Sequence, residues 1–252
     1  MASETGTKRP KYQRIADDLR AAIESGEYGP GDRLPGESAL AAQYEVATLT
    51  ARQALKILRT EGLVETRKGA GARVAAFRPI RRRGIPRLGR AHWGSGKAIW
   101  EADDDRAPDV DQAIVTQGVV PPQHIAHVLG LGADDLVCVR SRRYVVEGRP
   151  VMLAASYLPQ ALVEGSAIAE ANPGPGGIYA RLADLGYAPT HFREEIRVRT
   201  PSGEEATRLS IPADRAVIKL ARTAFDAEGR AVEVNEMTMD SAVYVLDYEF
   251  EA

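Results

Sequence analysis

Arg52 stands one turn into a helix that begins near Thr48. A guanidinium placed there reaches a base edge in a major groove, where arginine pairs with guanine in bidentate fashion. It can equally reach a phosphate, and the helix start assists, because its free N–H groups and partial positive charge suit an anion. Farther along, Arg140 and Arg142 lie two residues apart in a strand-like stretch, so they share one face. As a pair they can hold an anion; as a solvated or salt-bridged strand edge they hold nothing. His124 and His127, three apart, share a helix face, but no carboxylate stands beside them in the sequence, so ordinary helix surface outweighs a metal site. Cys138, among Leu136, Val137 and Val139, reads as a packed small side chain rather than a nucleophile. Gly94-Ser-Gly-Lys97 imitates the tail of a phosphate loop, yet Ala91 and Ala98 stand where that motif needs Gly and Ser or Thr. Asp103-Asp104-Asp105 reads as a solvated loop. No acid, base and anion clamp occur at recognisable spacing. No catalytic residue, metal site or cofactor is therefore assigned.

The elements around these residues follow from periodicity and turn signals. Tyr12 to Ile23 carries Ile15, Ala16, Leu19 and Ile23 as a helical stripe, ended by Gly26 and the turn Tyr28-Gly-Pro-Gly-Asp32. Two shorter helices follow, Ser38 to Tyr44 and Thr48 to Thr60, broken at Glu45-Val46-Ala47 as in a helix-turn-helix. Leu63 to Thr66 and Arg73 to Ala75, joined through Lys68-Gly-Ala-Gly71, read as the two strands of a wing. Pro79, Pro86 and the glycines of 79–94 predict a linker without regular structure, whose arginines are either a phosphate contact or a plain solvated tether.

Beyond it the pattern is mixed. Leu136 to Val146 and Pro150 to Leu158 form a hairpin around Glu147-Gly148, and Ala216 to Phe225 with Ala231 to Met239 form another. Helices are expected over Ile178–Leu185 and, capped by Ser202, over 202–209, with strands at Glu194–Arg199 and Tyr244–Phe250. Hairpins predict an α+β domain with an antiparallel sheet and helices on one side. Three regions result: 1–78, the linker 79–94, and 95–252.

Composition agrees. Of 252 residues, 44% are hydrophobic and 27% charged, as in globular proteins. The net charge of −2 hides a division: residues 1–90 hold 18 Lys and Arg against 10 Asp and Glu, and 91–252 hold 15 against 25. A basic head on an acidic body suggests a nucleic-acid-binding module joined to another task. A helix-turn-helix that pairs with protein is the alternative, and the wing and the basic head argue against it. One cysteine excludes an internal disulfide framework. No apolar run spans a membrane and no signal peptide opens the chain, so a cytoplasmic location is expected.

The residues also resemble a family. Tyr12-Gln-Arg-Ile-Ala16, Gly29-Pro-Gly-Asp-Arg-Leu-Pro35, Glu37-Ser-Ala-Leu-Ala41, Thr50-Ala-Arg-Gln-Ala-Leu55, Glu61-Gly-Leu-Val64 and Arg67-Lys-Gly-Ala-Gly71 look like the winged helix of GntR-type bacterial regulators. Arg140-Ser-Arg-Arg-Tyr144, Gly148-Arg-Pro150, Ser156-Tyr-Leu-Pro159, Ile178-Tyr179, Arg222-Thr223, Gly229-Arg230 and Val232-Glu233 look like the UTRA effector domain of its HutC branch, which resembles chorismate lyase in fold. The resemblance implies a winged helix-turn-helix followed by an antiparallel-sheet α/β effector domain. It implies a homodimeric regulator, most simply a repressor, that leaves double-stranded operator DNA when a small-molecule effector binds; a lyase-like enzyme with a DNA-binding appendage is the rival. DNA contacts fall to Glu37, Ser38, Thr48, Thr50, Arg52, Lys68 and Gly69, and effector contacts to Arg140, Arg142, Tyr144, Tyr179, Glu233 and Met239. Two departures stand out. Ala47 cannot cap the recognition helix, leaving Thr48 as the expected cap. Tyr144, Ala154, Gly177 and Met239 replace polar groups of phosphosugar-sensing relatives, which predicts a less polar effector carrying at most one anionic group.

Overall fold

Three helices, α1 (Lys11–Glu24), α2 (Glu37–Gln43) and α3 (Thr48–Thr60), build the first unit of the computed structural model around one apolar cluster. The structure describes residues 10–67, 71–75, 80–84, 86–95 and 108–249. It divides the chain into residues 1–78 and 79–252. In α3 the buried residues Ala51, Ala54, Leu55 and Leu58 repeat at helical spacing and face Ile15, Ala16 and Leu19 of α1 in the shared core. Arg20 of α1 grips Glu61, just past α3, at 2.7 Å. Glu45, at φ 50°, makes the sharp turn between α2 and α3. The expected cap on α3 is absent. Ala47 is the N-cap without a side-chain hydrogen bond, and Thr48 is already the first helical residue. The Ala47 carbonyl opens the helix instead, accepting from Thr50 N–H at 2.9 Å.

The wing is β1 (Val64–Arg67) paired antiparallel with β2 (Gly71–Val74), and Arg33 bridges to Arg73 beside it. Lys68 and Gly69, assigned above to DNA contact, lie outside the described residues, as do Asp103-Asp104-Asp105 and Lys97.

The second unit is organised by a six-stranded antiparallel sheet made of β4 (Asp109–Val119), β5 (Val137–Val146), β6 (Arg149–Pro159), β7 (His191–Arg199), β8 (Val217–Phe225) and β9 (Ala231–Asp240). The spatial order is β4-β5-β6-β9-β8-β7, so the two long hairpins meet at β6 and β9 and the remaining strands form the edges. Glu147 and Gly148 turn the first hairpin at φ 52° and 76°, the positive pair that a tight two-residue hairpin demands.

Helices cover both faces of this sheet, not one. Tyr179 and Leu182 of α7 (Gly177–Asp184) pack with Cys138, Leu158 and Ala224. Ile125 and Leu129 of α5 (Gln123–Leu129) pack with Val137 and Val234. Cys138 and Val137 are strand neighbours and so point to opposite faces. Runs such as Val-Met-Leu-Ala-Ala at 151–155 are apolar on both sides for that reason. The short α6 (Gln160–Val163) follows β6, and Leu209 of α8 (Gly203–Leu209) packs on Leu153 and Val217. Ser202 and Glu205 close a full capping box at the start of α8.

The stretch 79–94 is not a structureless linker. It holds β3 (Ile80–Arg83), a 3₁₀ turn at Pro86–Leu88 and α4 (Arg90–Trp93), all within the second unit. Ile80, Leu88 and Trp93 are buried apolar anchors, and Arg82 pairs with Glu194 at 3.1 Å in a buried place. Its prolines and glycines separate these short elements rather than abolish them. The last strand, β10 (Tyr244–Asp247), does not extend the main sheet; it pairs in parallel with β3. Among the described residues no helix is long and apolar enough to cross a membrane.

Candidate operator-reading helix and effector cavity

Arg52 is exposed on α3, and its guanidinium is held by Glu37 at the start of α2. Nε donates to both carboxylate oxygens at 3.0 and 2.9 Å, and Nη2 lies 2.8 Å from Oε2. The pairing lowers the Glu37 carboxyl below its usual range and raises Arg52. Arg52 is thus a charged tip with a fixed direction. Ser38 and Thr48 are exposed near it, and Thr50 is half-buried. Leu49, 70% exposed on the first turn of α3, was not singled out by the sequence reading. Its position off the Ala51–Leu55–Leu58 stripe was the available signal, and an apolar side chain there suits a thymine methyl.

In the second unit a cavity of about 540 Å³ opens between the sheet and the loop leading into α7. Of the six residues assigned above to effector contact, Arg142, Tyr144, Tyr179 and Glu233 line it. The Tyr179 hydroxyl donates to Glu233 Oε2 at 2.8 Å, and burial raises the Tyr179 phenol well above its ordinary value. Tyr144 is hydrogen-bonded with Arg142, while burial raises its phenol.

Arg140 and Met239 do not line the cavity. Arg140 is buried, and it ties down the loop, donating to the carbonyls of Ile168, of Glu170 at 2.5 Å and of Ala171 at 3.1 Å. Burial, with Arg142 beside it, lowers its guanidinium to about 10, so it stays protonated at neutral pH. Met239 is covered by β3, with Arg82 Nη1 3.7 Å from its sulfur. Ala154 also lies outside the lining. The argument for a less polar effector loses two of its four residues in this way.

A row of polar groups on neighbouring strands forms the cavity's floor. Register places Glu194, Arg222, Asn235, Ser156 and Arg140 side by side on β7, β8, β9, β6 and β5. Both ends of this row are tied. Arg140 holds the loop carbonyls, and Glu194 takes Arg82 at 3.1 Å and the Tyr248 hydroxyl at 2.5 Å. The middle three, Arg222, Asn235 and Ser156, line the cavity. Ser156 and Arg222 belong to the UTRA resemblance, but the adjacency of the three exists only in strand register, which one sequence does not display.

His124 is not without a carboxylate: Glu236 Oε1 lies 3.1 Å from Nε2. Among the described residues no group of three or more His, Cys, Asp or Glu side chains is placed to hold a metal ion.

Comparison with known proteins matches this arrangement twice over. The model of the bacterial regulatory proteins of the gntR family matches residues 11–74, and that of the UTRA domain matches 112–244. The chain belongs to the GntR family. An HTH-type transcriptional regulator of Streptomyces coelicolor is 34% identical to this GntR-family regulator over 234 residues, covering 90% of this chain and 87% of the relative. The mannosyl-D-glycerate transport/metabolism system repressor MngR of Escherichia coli is 44% identical over 255 residues, covering 96% and 95%. The transcriptional repressor NagR of Bacillus subtilis is 25% identical over 227 residues, covering 89% and 88%. A crystal structure of a GntR-family transcriptional regulator matches with a TM-score of 0.63 and 25% identity over 97% of this chain and 98% of that one. PhnF from Mycobacterium smegmatis, at 24% identity and a TM-score of 0.57 over 94% and 99%, shares the fold. This GntR-family regulator is a ligand-responsive, DNA-binding transcription regulator whose UTRA domain binds the ligand. Its relatives are transcriptional regulators, which decides against the lyase-like enzyme.

Proposed function

We propose that this regulator is a homodimeric repressor of the HutC branch that releases a two-half-site operator when a small molecule fills the cavity beneath α7. The exposed Arg52 guanidinium, aimed by Glu37, carries the operator half of this reading. Around it Ser38, Thr48 and Thr50 contact the same duplex, and Lys68 and Gly69 follow the adjoining backbone. Arg142, Tyr144, Tyr179 and Glu233 frame the effector half. Residues 1–78 form the reading head, and 79–252 bind effector and dimerise. Two heads are needed because one small winged helix rarely holds DNA tightly at physiological salt. As a repressor of chromosomal operators it acts in the cytoplasm.

The experiment is selection of a random duplex library on the full chain, with sedimentation equilibrium alongside. Enrichment of an inverted repeat, lost with Arg52→Ala, together with a dimer at micromolar concentration, is the expected result. Absence of any enriched sequence refutes the operator assignment, and a monomer at tens of micromolar refutes the dimer.

A further inference from the structure

Among the described residues of the first unit, Leu49 is the one large apolar side chain left in water, at 70% exposed. The core stripe of α3 is Ala51, Ala54, Leu55 and Leu58. At roughly 100° per residue, Leu49 lies about 200° from Ala51, on the side of the helix turned away from the core. That side also carries Arg52, three residues on and about 60° away. A lone exposed leucine elsewhere needs no partner. This one stands in the first turn of α3, beside the guanidinium aimed at the duplex. Arg52 is itself directed: Glu37 takes its Nε edge, with Nε donating at 2.9 and 3.0 Å and Nη2 2.8 Å from Oε2. The Nη1 end remains for guanine, whose O6 and N7 accept two parallel N–H donors. In the major groove only thymine sets a methyl group among the donors and acceptors of the base edges. Laid on any other base, Leu49 strips water from a polar edge and offers no bond in return. Laid on thymine, it buries its own methyls against another.

We infer that Leu49 is a specificity-determining residue, packing on the C5-methyl of a thymine one or two base pairs from the guanine read by Arg52. The interval follows from the helix. Side chains three apart stand about 5–6 Å from each other, and successive base pairs about 3.4 Å. The inference rests on the operator reading of α3 and deepens it by naming part of the half-site. Each half-site holds a guanine and a thymine within that short interval, and the thymine is read by its methyl group rather than by its carbonyl oxygen.

The test starts from the duplex that the full chain enriches from a random library. Each thymine of one half-site is replaced in turn by deoxyuridine, which removes the methyl and keeps every hydrogen bond, and fluorescence anisotropy reads the affinity. The Arg52 guanine is located as the base whose preference Arg52→Ala abolishes. At one thymine within two base pairs of it, the wild type is expected to lose about fourfold to tenfold, the scale of one buried methyl and its contacts. Leu49→Ala loses a similar factor on the thymine duplex and binds the deoxyuridine duplex equally well, so the two changes are not additive. Because Leu49 is exposed, its truncation leaves the melting midpoint in place, and misfolding does not imitate the result. 7-Deazaguanine at the Arg52 base removes the N7 acceptor and still weakens binding by Leu49→Ala, which keeps the arginine contact separate. An enriched half-site without a thymine in that interval, a flat deoxyuridine scan, or a methyl preference that persists in Leu49→Ala overturns the inference and leaves the operator reading standing. A library that yields no sequence refutes the operator reading and the inference with it.

Discussion

Replacing Tyr179 with phenylalanine deletes one oxygen and keeps the ring. The ring packs edge-on against Trp93 at 6.2 Å and tilted against Phe192 at 5.3 Å between centroids, so packing survives the change. The lost hydroxyl donates to Glu233 Oε2 at 2.8 Å, with Tyr179 1% exposed and Glu233 fully buried. Glu233 Oε1 has no protein partner, so the variant leaves a buried carboxylate bare at both oxygens. A hydrogen bond to a charged group contributes about 1.5–3 kcal/mol to stability. At about 2–4 °C per kcal/mol for a unit of this size, the midpoint falls by roughly 3–12 °C. Trp93 is buried in the second unit, so its fluorescence follows that unit's melting. The control is a cycle with Glu233→Gln: in that background Tyr179→Phe costs less, because no charge is stranded, and the coupling is about 1–2 kcal/mol. A midpoint shift below about 1 °C, or a coupling of zero, refutes the buried charge-assisted bond on which the site's geometry depends.

Arg52→Ala lowers specific operator affinity roughly tenfold to a hundredfold and leaves nonspecific affinity nearly unchanged; competition gel shifts with unrelated duplex measure the ratio. Glu205, held by Arg199 and by the Ser202 N–H, is depressed to about 2 against an unperturbed value near 4.5. Its stabilisation is therefore complete above about pH 4.5 and is lost as pH falls through 2, and Glu205→Gln flattens the fluorescence midpoint across that window. Arg140→Met unties the carbonyls of Ile168, Glu170 and Ala171, and hydrogen exchange over 166–176 accelerates while the amides of β5 keep their protection.

The first unit was legible because each of its elements is long or closely punctuated. Thr48 to Thr60 carries a full helical stripe, and the structure returns those same bounds. Both long hairpins were legible for the same reason, since Glu147-Gly148 and the turn at 226–229 each separate two apolar runs. Residues 80–93 were not, because four-residue elements are too short for a period to show. They are held by tertiary partners instead, Arg82 by Glu194 and Ile80 by the last strand. β4 was missed as an edge strand exposed along most of its length, with too little apolar alternation to signal. The cavity was half legible. Arg142, Tyr144, Tyr179 and Glu233 came through resemblance, whereas Arg222 and Asn235 become neighbours only when β8 and β9 pair. Alignment also carried Met239 into the lining, because nothing in its own strand says that β3 covers it.

The parallel pairing of β3 with β10 joins the beginning of the second unit to its end: Ile80 lies opposite Tyr244, and Arg83 opposite Asp247. Gly84 N–H then donates to the Asp247 carbonyl at 2.8 Å, and the Tyr248 ring is seated where a β-carbon on Gly84 would be. A premature stop codon at Tyr244 would therefore remove β10 and damage the chain 160 residues upstream, at the first strand after the reading head. In a genetic screen such nonsense alleles would fall in the same phenotypic class as missense alleles at Ile80 or Gly84. They would complement in neither direction, although the map places them at opposite ends of the effector-binding segment.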